Sequence, residues 1–257
     1  MRKDLQGPLI AVDQALGNSL LSTNNILPLW QDEPSGLSSK RRKKIMPDYE
    51  ALRVRVEELG ERAWDGPALE ARIRKLAVEG IPRKVLNREE ILADKQEILD
   101  RVQRRAEEYN FITKNCAQGT ALSLMEEFGL GNMEIIKALT PFPGIGGTGE
   151  ICGGITGSLI ALGLYFGSDD RLDLEATNKT IMTAQKFMAF FEDELGYLSC
   201  AEIQEHVVFG RNMDPGASEA HMAAFAQAKG FEKCGLPPGT GARLAAQFII
   251  ESMEQDA

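Results

Sequence analysis

The chain has only two histidines, His206 and His221, in 257 residues, and none of its four cysteines stands in a Cys-x-x-Cys pair. The first scarcity excludes histidine-rich zinc chemistry. The second removes the local signature of zinc ribbons, thioredoxin-like sites and bacterial ferredoxins. No apolar run reaches the roughly 18 residues of a membrane span. The longest, Ile155 to Phe166, is interrupted by Gly157 and Gly163. Positive charge is also in deficit, 29 Lys and Arg against 38 Asp and Glu for a formal net charge of −9. Nucleic acid is therefore a poor partner, because phosphate contacts need clustered Lys and Arg. The N-terminus lacks a signal-peptide apolar run, and Arg41-Arg42 is no convincing export signal, so a cytoplasmic protein is expected. Thiols there are kept reduced, and four cysteines do not make a disulfide framework.

What is present is helical periodicity. Residues 1–45 mix Gly, Ser, Asn and Pro, carry seven Lys and Arg against four Asp and Glu, and end in SSKRRKK. They read as an irregular or partly extended arm whose basic run is a solvated cluster, with binding of a phosphate or an acidic partner as the alternative, and whose Leu27, Leu29 and Trp30 hint that part of it packs on something. Residues 46–97 read as a helical arm. Leu52, Val56, Leu59 and Ala63 form one stripe, and Pro67 opens a second with Leu69, Ile73, Leu76 and Ala77. A third helix is expected over 88–109, its polar face in solvent. From about residue 98 to 257 the chain reads as a four-cysteine domain, with helices at 116–128, 133–139, 155–166, 176–194, 200–208, 218–230 and 240–253. No period-two alternation appears. The expected fold class is all-α, a helical bundle with glycine-rich loops and an N-terminal helical arm.

The cysteines are Cys116, Cys152, Cys200 and Cys234, separated by 35, 47 and 33 residues. Spacing alone does not distinguish them from small buried hydrophobes. Their place relative to helix ends says more. Ser199-Cys200-Ala201-Glu202 fits the capping box, which puts Cys200 at the first helical position. With Thr113 or Asn115 as N-cap, Cys116 falls in a first turn, and Cys152 precedes the helix near Ile155. At such positions free N–H groups and the helix dipole stabilise a thiolate, the form that ligates metals and attacks disulfides. Cys234 stands apart, before Gly235 and the Pro237-Pro238 break.

The segment PFPGIGGTGEICGG places glycines around Cys152. Its G-x-G-x-x-G arrangement follows a helical segment and not a strand, so a dinucleotide fold is not expected. Glycine lets backbone amides approach a bound group, and Gly146, Gly147, Gly149 and Gly153 are the candidates for that contact. Tight helix packing at Gly153, Gly154, Gly157 and Gly163 is the alternative, and both can hold together. His206, six residues beyond Cys200, lies about 240° around the helix axis from it, so the two do not share a face. Glu150 is read as a helix cap or as an acid–base group beside Cys152. Glu126, Glu127, Glu192, Asp193 and Glu194 are read as surface, and Tyr109, Phe111, Tyr165, Phe187, Phe190 and Phe191 as core.

The segments NCAQGTALSLMEEFGL, FPGIGGTGEICGGITGSLIALGLYFG, SCAEI and a late KC together resemble the family of redox proteins named for its C_GCAxxG_C_C cysteine pattern. The resemblance covers roughly Ile98 to Met253. Its most specific parts are Asn-Cys-Ala-Gln and Gly-Glu-x-Cys-Gly, and it departs at Gly154, where the family is expected to carry alanine. It maps the four family cysteines onto Cys116, Cys152, Cys200 and Cys234. Similarity to part of the split-Soret cytochromes implies a four-cysteine iron–sulfur site. Without Cys-x-x-Cys-His, covalent haem is not expected.

Residues and resemblance together give the expectation of a redox protein whose four cysteines bind an iron–sulfur cluster, [2Fe–2S] first, for electron transfer to a partner protein. A metal-free thiol–disulfide oxidoreductase and an accessory subunit docking to a larger redox enzyme are the alternatives. A homodimer is the expected assembly.

Overall fold

A computed structural model describes residues 46–255. The irregular arm expected over 1–45, with its basic run and Leu27, Leu29 and Trp30, lies outside them. The described residues are helical, and their only extended pairing is a single antiparallel bridge between Ile151 and Ser199.

Two short helices come first, α1 (Tyr49–Glu61) and α2 (Gly66–Glu79). Each is started by an aspartate that accepts from an N–H of the first turn, Asp48 from Ala51 and Asp65 from Ala68, both at 3.0 Å. The helix expected over 88–109 is two, α3 (Arg88–Ala93) and α4 (Lys95–Thr113). They meet at Asp94, whose φ of −98° and ψ of 14° close one and open the other. Next come α5 (Cys116–Phe128), α6 (Met133–Ala138), the glycine turn α7 (Gly144–Gly147), α8 (Gly153–Phe166) and α9 (Leu174–Leu195). The chain ends with α10 (Cys200–Ile203), which runs on as a π turn over Gln204–Val208, then α11 (Glu219–Gln227), α12 (Gly230–Lys233) and α13 (Leu236–Gln255).

Three expected boundaries move for physical reasons. The helix expected over 218–230 breaks at Lys229, which takes a left-handed φ of 57°. Gly230 then lies so close beneath the Phe225 ring that a Cβ there would overlap it. α13 begins before Pro237 and Pro238, so the expected break is a helix start. In a first turn the missing proline N–H groups have no intrahelical acceptor to lose. α8 begins at Gly153, directly after Cys152.

α5 is the central helix, buried along nearly its whole length between α4, α8 and α13. Backbones approach closely at these crossings. A Cβ on Gly119 would lie 2.6 Å from the Asn110 nitrogen, and one on Gly241 would lie 2.5 Å from the Gly154 oxygen. Gly154, where alanine was expected, faces Pro237 with its added Cβ at 2.6 Å from the carbonyl oxygen, so this chain has no room for the methyl group. α1 buries Val56 and Leu59 in the same core as Phe187, Phe191 and Ile249, against α12 and α13.

Glu126 and Glu127 were expected at the surface and are buried instead. Their partners come from helices distant in sequence. Arg72 of α2 bonds Glu126 at 2.5 Å, and the Tyr109 hydroxyl donates to the same carboxylate. Arg101 and Arg105 of α4 reach Glu127 at 2.7 and 3.1 Å. Glu107, fully buried, holds Arg55 at 2.9 Å and Arg62 at 2.7 Å. The polar face of α4, expected in solvent, is thus in part an internal seam of carboxylates and guanidinium groups.

Candidate functional site

Four local devices bring the cysteines to one end of the bundle. The Asn-Cys-Ala-Gln tetrapeptide supplies the first. Asn115 is the N-cap of α5, accepting from the Gln118 N–H at 3.0 Å while its own amide donates to the Thr140 carbonyl at 3.1 Å. Gln118 donates to the Ile136 carbonyl at 2.9 Å. Both side chains therefore tie the end of α6 to the start of α5 and fix Cys116 in the first turn.

The second device joins chain segments nearly fifty residues apart. Around the Ile151–Ser199 bridge, the Cys152 N–H donates to the Leu198 carbonyl at 3.0 Å and the Cys200 N–H to the Glu150 carbonyl at 2.6 Å. The bridge therefore sets Cys152 and Cys200 side by side. Ser199, the expected N-cap, accepts from the Glu202 N–H and donates to the Gly149 carbonyl at 3.0 Å. The third device is the glycine turn, in which Gly144, Ile145, Gly146, Gly147 and Gly149 all have positive φ. Ile145, β-branched at φ 49°, is an outlier of the kind that marks a constrained loop. The fourth places Cys234 at the end of α12, where Asn110 of α4 donates to the Phe231 carbonyl at 2.8 Å.

The result is a cavity of about 170 Å³ lined by Cys116, Cys200 and Cys234, with Cys152 buried at 4% exposure behind it. Gly147 and Gly149 line it, and so does Gly144. Gly146 is not on its wall, and the N–H groups of Gly146 and Gly147 are taken by the Pro141 and Pro143 carbonyls. Gly153 has a different place. Its backbone lies against the Cys116 sulfur so closely that a Cβ would overlap it.

All four cysteines are free thiols. Every pair is near enough that a thiolate at one sulfur disfavours a thiolate at another. Burial pushes the Cys116 thiol up to about 12 and lifts Cys152 and Cys234 well above the ordinary value. Burial also raises Cys200, with the Asp214 carboxylate adding to the rise and the Gln204 amide opposing it. The N–H groups of Gly153, Cys116 and Ala117 turn toward the Cys116 sulfur, and that of Gly154 toward Cys152, and each favours the thiolate. The helix N-termini thus act in the expected direction, but removal from water outweighs them. No group of three or more His, Cys, Asp or Glu among the described residues is arranged to hold a metal ion.

Other residues singled out by the sequence fall outside this cavity. His206 stacks on Tyr197 with centroids 4.8 Å apart. The N-cap of α8 is Cys152 itself, without a side-chain bond, so Glu150 caps nothing there and contributes its carbonyl to Cys200. Sequence reasoning missed Asn110, Lys114 and Gln204 in the lining. Gln204 carried a readable signal, since it lies one helical turn after Cys200 on the same face. Lys114, held in left-handed conformation after α4, lies over the Phe111 and Phe231 rings at 4.2 and 4.8 Å, and nothing in its local sequence marked it.

Residues 114–247, more than half of the chain, match the family model described as "Putative redox-active protein (C_GCAxxG_C_C)". The chain belongs to this family. The matched span of the C_GCAxxG_C_C model contains all four cysteines, the glycine turn and both cysteine-bearing loops joined by the bridge. It begins at Lys114, just before Cys116, and leaves α1, α2, α3 and α4 outside. No curated protein and no solved structure gives a significant match.

Proposed function

We propose that this redox-active family member is an electron-transfer protein in which Cys116, Cys152, Cys200 and Cys234 together hold an iron–sulfur cluster, [2Fe–2S] being the first expectation. The observation that carries the reading is the convergence of four free thiols at one cavity, with Cys116, Cys200 and Cys234 in its wall and the buried Cys152 behind them. A bound iron–sulfur cluster would supply reversible one-electron transfer. Four cysteine thiolates are the donor set by which such clusters are held, and Cys116, Cys152, Cys200 and Cys234 would provide it.

The protein's own part is definable. The four thiols would give up their protons to solvent as they become ligands, and the positive charge they meet would replace the stabilisation that burial removes. The N–H groups at the starts of α5 and α8 would donate to Cys116 and Cys152 and favour the reduced, more negative state. Burial of Cys152 would keep water from one side, while the cavity would leave the other side open to a partner protein.

Thiol–disulfide exchange is the second reading, favoured by the mutual reach of the free thiols. Against it, the raised thiols leave few thiolates for attack near neutral pH. Anaerobically purified protein, or protein reconstituted with iron and sulfide, is expected to be coloured, to contain iron and acid-labile sulfide, and to give a paramagnetic signal on one-electron change. Colourless protein that takes up neither, and whose thiols cycle through a two-electron disulfide couple, would replace the first reading with the second.

A further inference from the structure

Gln204 donates through Nε2 to the Cys200 sulfur at 3.5 Å, the one hydrogen bond to sulfur from a side chain among the described residues. It is 7% exposed, lines the cavity, and begins the π turn that follows α10. Its other amide end, Oε1, is buried without any partner. A buried amide normally satisfies both ends, and leaving one unpaired is costly. The Cys200 sulfur is thus the one polar group this side chain engages. Which amide end faces it follows from chemistry, since a thiol offers a proton to oxygen and a thiolate accepts one from nitrogen.

We propose that Gln204 is a positioning residue for Cys200. Its amide accepts the S–H when Cys200 is a thiol and donates Nε2–H when Cys200 is a thiolate ligand, raising the reduction potential of the centre it ligates. The donors near Cys116 and Cys152 are backbone groups that substitution cannot remove. Gln204 is therefore the place where a side chain adjusts the centre. The potential part of the inference rests on the iron–sulfur reading, and the thiol part does not.

The test uses Gln204→Met, which keeps the shape without a polar end, and Gln204→Glu, which keeps an acceptor and loses the donor. In the reduced, metal-free full chain, the infrared S–H stretch assigned through Cys200→Ser is expected at higher frequency in Gln204→Met than in wild type. In reconstituted protein both variants are expected to retain iron and sulfide and to show a lower midpoint potential, Gln204→Glu the lower of the two. An unchanged S–H band, or an unchanged potential at full cluster content, overturns the proposal. Wild-type protein without iron defeats the iron–sulfur reading, and the S–H band alone then decides the role of Gln204.

Discussion

The molecule buries ionisable groups in two places and treats them in opposite ways. In the seam between α2, α4 and α5, burial pushes the Glu127 carboxylate up, but Arg101, Lys84 and Arg105 together outweigh it and hold Glu127 below its ordinary value. Glu107, completely enclosed, has two guanidinium groups in contact. At the other place, four thiols are gathered with one another, backbone N–H groups, the Gln204 amide and the Asp214 carboxylate, with Lys114 also in the cavity wall, and all four are raised. A charge that is compensated inside the fold is structural. Four thiols raised by burial around a cavity would, on the proposed reading, be completed by a positively charged group.

The largest effect that would break this contrast is at the sulfurs. Cys116→Ser and Cys152→Ser are each expected to abolish stable iron and sulfide incorporation while the far-ultraviolet dichroism stays helical. Next comes the seam. Glu107→Gln leaves Arg55 and Arg62 without their carboxylate and is expected to destabilise the fold by roughly 3 kcal/mol in urea unfolding. Iron content per folded chain should be unchanged. If Glu107→Gln empties the site, the two regions are not separable.

Smaller in effect, but sharper, is a pair of glycine substitutions at the crossing of α5 and α8. Gly153→Ala and Gly157→Ala both force a methyl group against α5, and each is expected to cost roughly 1–3 kcal/mol. Only Gly153→Ala pushes on the Cys116 sulfur, so only it should lower iron content per folded chain. Equal iron loss in both would mean that general loosening, not sulfur placement, governs binding.

The gentlest test is pH. Glu127 is lowered, so its contribution is complete above the ordinary carboxylate value of 4.5 and is lost as pH falls through the native value. The thiols are raised. In metal-free protein their contribution is complete below the ordinary thiol value of 9.0 and is lost as pH climbs toward about 12 at Cys116. Urea midpoints are expected to fall on both limbs, with Glu127→Gln flattening the acid limb and leaving the alkaline one intact.

Local devices were legible in the sequence because they are written within four residues. Ser199 and Glu202 announced a cap, Asn115 was one of two candidates, and the stripe of Leu52, Val56 and Leu59 marked α1. The convergence of the sulfurs was not legible from periodicity, because it depends on a single bridge between Ile151 and Ser199 and on glycine crossings between α5, α8 and α13. The resemblance of NCAQ and GEICGG to a family supplied it instead. Glu126 and Glu127 were misread for the same reason that Cys152 was hard to place. Their partners, Arg72, Arg101 and Arg105, come from α2 and α4, and a local window contains no trace of them. Gln204 is legible in the sequence, one turn from Cys200 on the same helix face.

Whether the four sulfurs act as one centre can be read directly by alkylating anaerobically prepared protein and scoring each cysteine by mass spectrometry, before and after iron is chelated. The account predicts that Cys116, Cys152, Cys200 and Cys234 are protected together and released together by the chelator under non-reducing conditions. Four sulfurs that react independently of chelator, or protection of only one pair that a reductant and not a chelator reverses, would contradict it.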